Sequence, residues 1–198
     1  RDLIVTGVQT CALPICMGRP RLACGVSSGN LYSMVNIFTA GRRLRREDAY
    51  SEDGVTGKRP PHALVVYAQL VKQAFPGLPV LLGGLEASLR RVAHYDYWQD
   101  KLRPGMLVDS KADLLMYGQG ERPIREAFAR LAAGRDLAGI PGTARLLGKK
   151  AAEQFVLPPN FEELPSFEEH LARKNALLDS TRMVEAVSSP GSGRGLVQ

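Results

Sequence analysis

The chain has 198 residues, of which 44% are hydrophobic, so it is long enough for one packed core and too apolar for a disordered protein. Its formal net charge is +6, and the charge changes sign along the chain. Residues 1–150 carry 22 basic and 13 acidic side chains, whereas residues 151–198 carry 4 and 7. No run of about 18 apolar residues occurs, so we predict neither a membrane span nor a membrane partner, and expect a cytoplasmic location.

The first 16 residues differ in character from the rest. The stretch from Val5 to Ile15 closely resembles the translation of a sequencing adapter, so we set residues 1–16 aside as an assembly artefact. Cys11 and Cys16 fall in this stretch. Cys24 lies in an apolar segment and is expected to be a small buried hydrophobe. Three cysteines without Cys-x-x-Cys spacing predict neither a disulfide framework nor a metal site.

From residue 17 the pattern alternates between short apolar runs and amphipathic stretches, which predicts an α/β fold. The predicted elements in chain order are a strand at 21–25, helices at 31–38 and 63–75, a strand at 80–82, a helix or tight turn from 86 to 91, a strand at 113–117, a helix at 124–133, a short strand within 140–144 and a helix at about 167–178. The change in charge indicates a domain boundary near residue 150. We therefore predict a Rossmann-like domain over 17–150, followed by a Pro-rich acidic linker with a helix over 151–198.

Two apolar runs end at glycine, namely Pro79-Val-Leu-Leu-Gly-Gly and Ala112-Asp-Leu-Leu-Met-Tyr-Gly-Gln-Gly-Glu. Each motif is weak alone, since neither matches the dinucleotide-binding fingerprint or the P-loop. They lie about 35 residues apart, as in successive βα units, and a similar turn follows Cys24 upstream. Strand ends of this kind line the ligand crevice of a parallel sheet. The residues predicted to line that crevice and bind a ligand are Ser27, Ser28, Gly83, Gly84, Gly118, Gly120 and Glu121.

No catalytic residue is predicted. His94 beside Asp96 fits general acid–base chemistry, but it fits a partly buried histidine among aromatic residues better. Lys111, between two aspartates, is explained equally well by a loop that enters a strand.

The segment 39–61 is unusually long and charged for a loop, which favours a functional role. It carries four arginines within five residues, Arg42, Arg43, Arg45 and Arg46. A solvated surface explains them better than nucleic-acid binding, because no aromatic residues alternate with them to stack on bases. The loop is expected to cap the crevice or to face another part of the protein.

Long stretches of the sequence carry a specific resemblance. The most distinctive are Leu82-Gly-Gly-Leu-Glu-Ala-Ser-Leu-Arg-Arg-Val-Ala-His-Tyr-Asp-Tyr-Trp and Val108-Asp-Ser-Lys-Ala-Asp-Leu-Leu-Met-Tyr-Gly-Gln-Gly-Glu-Arg-Pro, with Gly18-Arg-Pro-Arg-Leu and Val26-Ser-Ser-Gly-Asn upstream. On these residues the chain resembles the N-terminal region of the YgiQ family of radical S-adenosylmethionine (SAM) proteins. The resemblance extends over almost all of residues 18–198.

The resemblance implies an N-terminal α/β domain similar to cobalamin-binding domains, followed by a radical SAM core as its partner. In such a core a Cys-x-x-x-Cys-x-x-Cys motif holds a [4Fe–4S] cluster that cleaves SAM to a 5′-deoxyadenosyl radical, which attacks a substrate that is unknown here. This chain contains no such motif. It also lacks the cobalamin-ligating Asp-x-His-x-x-Gly pattern, since none of its three histidines fits.

We therefore expect a Rossmann-like domain with a largely parallel sheet, truncated at its N-terminus by one βα unit. The parent protein would be a radical SAM enzyme with a [4Fe–4S] cluster and SAM, whose ligands lie outside this chain. The alternative is a non-catalytic α/β module that binds an anionic ligand or RNA.

Overall fold

The computed structural model describes residues 18–29, 31–49, 51–188 and 193–198. The predicted artefact at residues 1–16 lies outside these ranges. The chain forms two compact units. The first contains the described residues up to Arg91 together with Met106–Leu146, and the second contains Val92–Gly105 together with Leu147–Gln198.

The strands in chain order are β1 Cys24–Ser27, β2 Val80–Gly83, β3 His94–Asp96, β4 Lys101–Arg103, β5 Leu114–Met116, β6 Thr143–Ala144, β7 Phe161–Glu163 and β8 Gly195–Val197. The α-helices are α1 Ser33–Ile37, α2 Ala63–Ala74, α3 Gly84–Leu89, α4 Met106–Ser110, α5 Glu121–Ala132, α6 Lys149–Glu153, α7 Phe167–Ala172 and α8 Ala176–Val187. A single 3₁₀ turn spans Glu52–Gly54.

The first unit is built on a four-stranded sheet in the order β1-β2-β5-β6. The first three strands are parallel, with Cys24 opposite Val80 and Leu81 opposite Leu114, and β6 runs antiparallel beside β5. The expected α/β fold with a largely parallel sheet is confirmed, and its order is compatible with a Rossmann-like fold.

Helices cover both faces of this sheet, which explains why its strands are continuous apolar runs. On one face Leu64, Ala68 and Val71 of α2 pack against alternate residues of β1 and β2. On the other face Ala127 of α5 packs against Leu81 and neighbouring strand residues. Because side chains alternate along a strand, Leu81 faces α5 while Val80 and Leu82 face α2.

Pro and Gly lie close to the ends of two helices of the first unit. The expected helix at 63–75 is confirmed as α2, and Gly77 follows it with φ +78°. Helix α5 begins at Glu121, three residues before the predicted range of 124–133. Pro123 therefore lies in the first turn, where its missing N–H costs no helical hydrogen bond. Gly134, with φ +64°, follows the end of α5.

The segment 39–61 is not an unstructured loop. Antiparallel bridges join Phe38 to Leu44 and Glu47 to Val55, so the chain turns back on itself twice. Arg59, in the same segment, is buried in an ion pair with Asp48. Periodicity could not predict this, because the contact joins residues 11 positions apart in a segment without regular repeats.

The second unit contains two small sheets. The aromatic stretch from His94 forms the antiparallel pair β3–β4, and β7 pairs in parallel with β8, two strands that the sequence did not predict. The single helix predicted at 167–178 is two helices, α7 and α8. A capping box between Ser166 and Glu169 begins α7, and a 2.9 Å hydrogen bond joins buried His170 to Ser180 of α8. No helix among the described residues is long and apolar enough to span a membrane.

Candidate functional site

Three parallel strands of the first unit end side by side. Ser27, the last residue of β1, is the register partner of Gly83, the last residue of β2, and Leu82 pairs with Leu115 in β5. The residues that follow these strands therefore lie at one edge of the sheet. In open α/β sheets this carboxyl edge is where ligands bind.

Glycine is required at position 84 by both backbone conformation and space. Gly84 has φ +87°, a conformation that L-residues rarely adopt. A Cβ built there would lie 2.7 Å from Ser27 Oγ and 3.6 Å from the Gly29 carbonyl oxygen. The turn after β2 therefore approaches the turn after β1 closely.

Ser88 links the second and third turns of this edge. Its hydroxyl donates to the Gly84 carbonyl at 2.9 Å and accepts from the Gly118 N–H at 3.1 Å. The Arg91 side chain donates to the Ser88 carbonyl at 2.6 Å, and its guanidinium lies 5.1 Å from the centre of the Tyr117 ring. Burial lowers the pKa of Arg91, and Tyr117 opposes that shift. The edge thus combines backbone groups of two glycine turns with a partly buried cation.

Ser28 and Glu86 lie beneath this edge rather than on it. The buried Ser28 hydroxyl donates to the Leu31 carbonyl at 3.1 Å. Glu86 is completely buried, and its carboxylate accepts the Ser33 N–H at 3.0 Å and the Ser33 hydroxyl at 3.1 Å. Burial raises the pKa of Glu86, while hydrogen bonds from Ser33 and Ser28 and the charge of Arg90 act in the opposite direction. Glu86 therefore holds the segment that leads into α1.

Gly120 and Glu121 lie at the start of α5. Gly120 is its N-cap residue and Glu121 is its first residue, with an exposed side chain. A carboxylate in this first turn favours the helix dipole and would repel an anion. The contacts described above bring Ser27, Gly83, Gly84 and Gly118 together, and Gly120 and Glu121 follow two and three residues beyond Gly118.

Three residues at this edge or directly beneath it were missed as site residues from the sequence. Ser88, Arg91 and Glu86 all belong to the segment that follows Gly84. Glu86 gave one local signal, an acidic residue inside an otherwise apolar run. Nothing local indicated Ser88 or Arg91, because their partners come from other turns.

The other sequence candidates have structural contacts. Asp96 is buried and accepts the N–H groups of Trp98 and Gln99 at 2.9 and 3.1 Å, which stabilises the turn between β3 and β4. Half-buried His94 has its Nδ1 3.1 Å from the Val92 carbonyl oxygen. Lys111 is exposed, with φ +60°, in the short turn between α4 and β5.

The described residues form no metal-cluster site, and one of the three histidines is committed to other contacts. Within the described ranges no group of three or more His, Cys, Asp or Glu residues is arranged to hold a metal ion. Cys24 is buried in β1, and burial raises the pKa of its thiol, which disfavours the thiolate that binds iron. His170, with ring nitrogens 2.6 Å from the Ser166 carbonyl oxygen and 2.9 Å from the Ser180 hydroxyl, has no ring nitrogen left for cobalt.

Comparisons with known proteins identify the family of the chain. The family described as "Radical SAM N-terminal" matches residues 10–198. A UPF0313 protein of Geobacter sulfurreducens is 44% identical over 193 residues, which cover 96% of this chain and 31% of that protein. A UPF0313 protein of Rhodopseudomonas palustris is 45% identical, over 92% of this chain and 30% of that protein.

The UPF0313 protein YgiQ of Escherichia coli is 56% identical over 124 residues, which cover 63% of this chain and 17% of YgiQ. The chain thus spans less than a third of the length of the curated relatives that it matches. In each case the match is to the N-terminal part of the relative. The chain belongs to the radical SAM N-terminal family, as a relative of the UPF0313 (YgiQ) proteins.

Proposed function

We propose that this chain is the N-terminal domain of a radical SAM enzyme and that the carboxyl edge of β1, β2 and β5 binds a small polar ligand of that enzyme. The family match and the relatives support the first statement. The observation that carries the second is the convergence of Ser27, Gly84 and Gly118 at the ends of adjacent parallel strands.

The cluster and SAM are proposed to be held by a part of the full-length protein outside this chain. The family name implies both cofactors, and a cluster of this kind supplies the electron that cleaves SAM. The 198 residues contain no Cys-x-x-x-Cys-x-x-Cys motif, and Cys24 is buried in the sheet. The contribution of this chain is therefore to bind and orient, not to cleave SAM.

The chemistry of the edge favours a polar ligand. Glycine turns let a ligand approach backbone groups closely, and the half-buried guanidinium of Arg91 lies beside them. We propose a likeness to cobalamin-binding domains at the level of the α/β arrangement only, because none of the three histidines lies in an Asp-x-His-x-x-Gly pattern.

The test uses full-length protein prepared without oxygen and reconstituted with iron and sulfide. We expect bound iron and, after reduction, formation of 5′-deoxyadenosine from SAM. We also expect this formation to rise when a low-molecular-mass extract of the source cells supplies the substrate. A preparation without iron or without 5′-deoxyadenosine would rule out the radical SAM assignment.

The edge is tested by a matched pair of glycine variants in the same protein. Gly84→Ala introduces a strained φ and a Cβ 2.7 Å from Ser27 Oγ, so the rise caused by the extract should be lost. Gly134→Ala, with φ +64° and nothing within 4 Å, has the backbone cost alone and should retain the rise. If the extract increases 5′-deoxyadenosine formation equally in both variants, a ligand site at this edge is contradicted, even where their basal SAM cleavage differs.

A further inference from the structure

The segment from Phe38 to Val55 forms an exposed double turn on the first unit, which we call the basic hairpin. Its two antiparallel bridges join Phe38 to Leu44 and Glu47 to Val55. Arginines crowd its first turn, and all of them are exposed: Arg42, Arg43, Arg45 and Arg46. Four guanidinium groups within five residues make the first turn positive. The second turn carries Glu47, Asp48, Glu52 and Asp53, which balance the arginines over the whole segment, so the positive charge of the basic hairpin is confined to its first turn.

The basic hairpin is held in place from within the unit. At its tip the Thr39 N–H donates to the Arg43 carbonyl at 2.8 Å, and Arg45 Nε donates to the Val35 carbonyl at 2.9 Å. At its base the buried Asp48 carboxylate accepts from Arg59 Nε and from the Ser51 hydroxyl, both at 2.7 Å. A surface that is already ordered loses little conformational freedom when a partner binds.

Aliphatic side chains lie among the arginines. Leu44 is 53% exposed, Val55 47% and Val35 38%, and the Arg45 hydrogen bond places Val35 beside the hairpin. Exposed aliphatic groups gain nothing from phosphate contacts, and the stacking that single-stranded RNA uses needs aromatic rings. Apolar groups at the centre with arginine around them are the usual composition of a protein–protein interface.

We propose that the basic hairpin is the docking surface for the remaining part of the full-length protein, through a complementary surface with an apolar centre and acidic residues around it. The Geobacter and Rhodopseudomonas relatives have more than two thirds of their length outside the matched region, so the polypeptide supplies a covalently linked partner. This inference rests on the proposed function. Covalent linkage raises the effective concentration of the partner, so a small surface is sufficient for docking.

The first test places a photo-crosslinking amino acid at position 44 in the full-length protein. We expect crosslinked peptides from the same polypeptide beyond residue 198. The matched probe replaces Arg125, which is exposed on α5 of the same unit, and should give few such crosslinks. Crosslinks only between two copies, or equal yields from both positions, would overturn the proposal.

The second test changes the charge of the surface and leaves Asp48 and Arg59 in place. Arg43→Glu with Arg46→Glu should increase the rate at which a protease separates the two parts of the full-length protein by about tenfold, because charge reversal weakens an interface of this kind. Arg125→Glu with Arg135→Glu makes the same change in net charge on exposed residues of α5 and the turn that follows it, and should leave the rate unchanged.

Two further outcomes would overturn docking. One is an unchanged cleavage rate in the hairpin variant. The other is salt-dependent binding of a short RNA duplex that the hairpin variant loses and the control retains, which would assign the surface to RNA. Iron content and basal 5′-deoxyadenosine formation, measured in the same samples, show separately whether the radical SAM assignment holds.

Discussion

Glu86 connects three segments of the first unit from beneath the sheet edge. Its carboxylate accepts two hydrogen bonds from Ser33, and the Ser33 oxygen accepts the N–H of Ala63 at the start of α2 at 3.2 Å. One buried acid thus orders the segment after β1, the beginning of α2 and α3 itself. Removal of the carboxyl would leave buried donors without a partner, at a cost of about 1–3 kcal/mol for each.

Replacing Glu86 with glutamine tests how its protonation affects folding. Burial raises the pKa of Glu86 in the folded protein, so the folded state binds a proton more tightly than the unfolded state. The contribution of Glu86 to stability is therefore present below the pKa of an ordinary glutamate and is lost as the pH rises through the raised value. Glutamine does not titrate, so the difference between wild type and Glu86→Gln should change across that window.

The measurement is chemical denaturation of both proteins at a series of pH values in the same buffers. The free energy of unfolding of the wild type, minus that of Glu86→Gln, should fall as the pH rises. Glu153→Gln, at an exposed position of α6, is the control and should track the wild type. A difference that stays constant with pH would contradict the raised pKa of Glu86. Unfolding of a Glu86→Ala variant would not contradict it, because that change removes the hydrogen-bond acceptor at every pH.

At the scale of elements, the buried ion pair between Asp48 and Arg59 determines whether segment 39–61 is a defined surface. Both side chains are about 5% exposed or less, and Arg59 Nε donates to Asp48 at 2.7 Å. Arg59→Leu leaves the Asp48 charge buried without this cation, which should destabilise the unit by about 3–5 kcal/mol.

The exposed pair between Arg145 and Asp136 provides the comparison. Its atoms are 2.9 Å apart, but the side chains are 36% and 70% exposed, so Arg145→Leu should cost about 1 kcal/mol or less. Denaturant unfolding measures both variants. If Asp48→Asn restores part of the stability lost in Arg59→Leu, the loss comes from the uncompensated charge. Equal costs for Arg59→Leu and Arg145→Leu would show that the buried pair has no special role.

Elements that depend on local pattern were predictable from the sequence. The apolar run at Val80 gave β2, and Pro76 with Gly77 gave the end of α2. The pairing of β7 with β8 was not predictable, because Phe161 and Gly195 meet from positions 34 residues apart. The same holds at the site: Gly84 and Gly118 were visible as turns, whereas the Ser88 hydroxyl that links them has no local signature.

At the scale of the whole molecule, residues that line the sheet edge must be distinguished from cysteines that could hold a cluster. The first unit carries a sheet edge suited to a ligand, and the radical SAM name implies a cluster that needs accessible thiolates. The chain has three cysteines, and the described one, Cys24, is 5% exposed. It sits in β1 opposite Val80, within the core that α2 covers.

We therefore expect Cys24 to be dispensable for the cluster. Cys24→Ala in the full-length protein should retain the iron content of the wild type after anaerobic reconstitution, because a thiol buried in the sheet has a raised pKa and cannot reach a cluster without unfolding β1. Stability should fall by about 1 kcal/mol through the small cavity left in the core. Iron and sulfide analysis with the absorption spectrum of the cluster provides the measurement. Loss of iron in a variant that still unfolds cooperatively would assign Cys24 to the cluster and would move the cofactor into this domain.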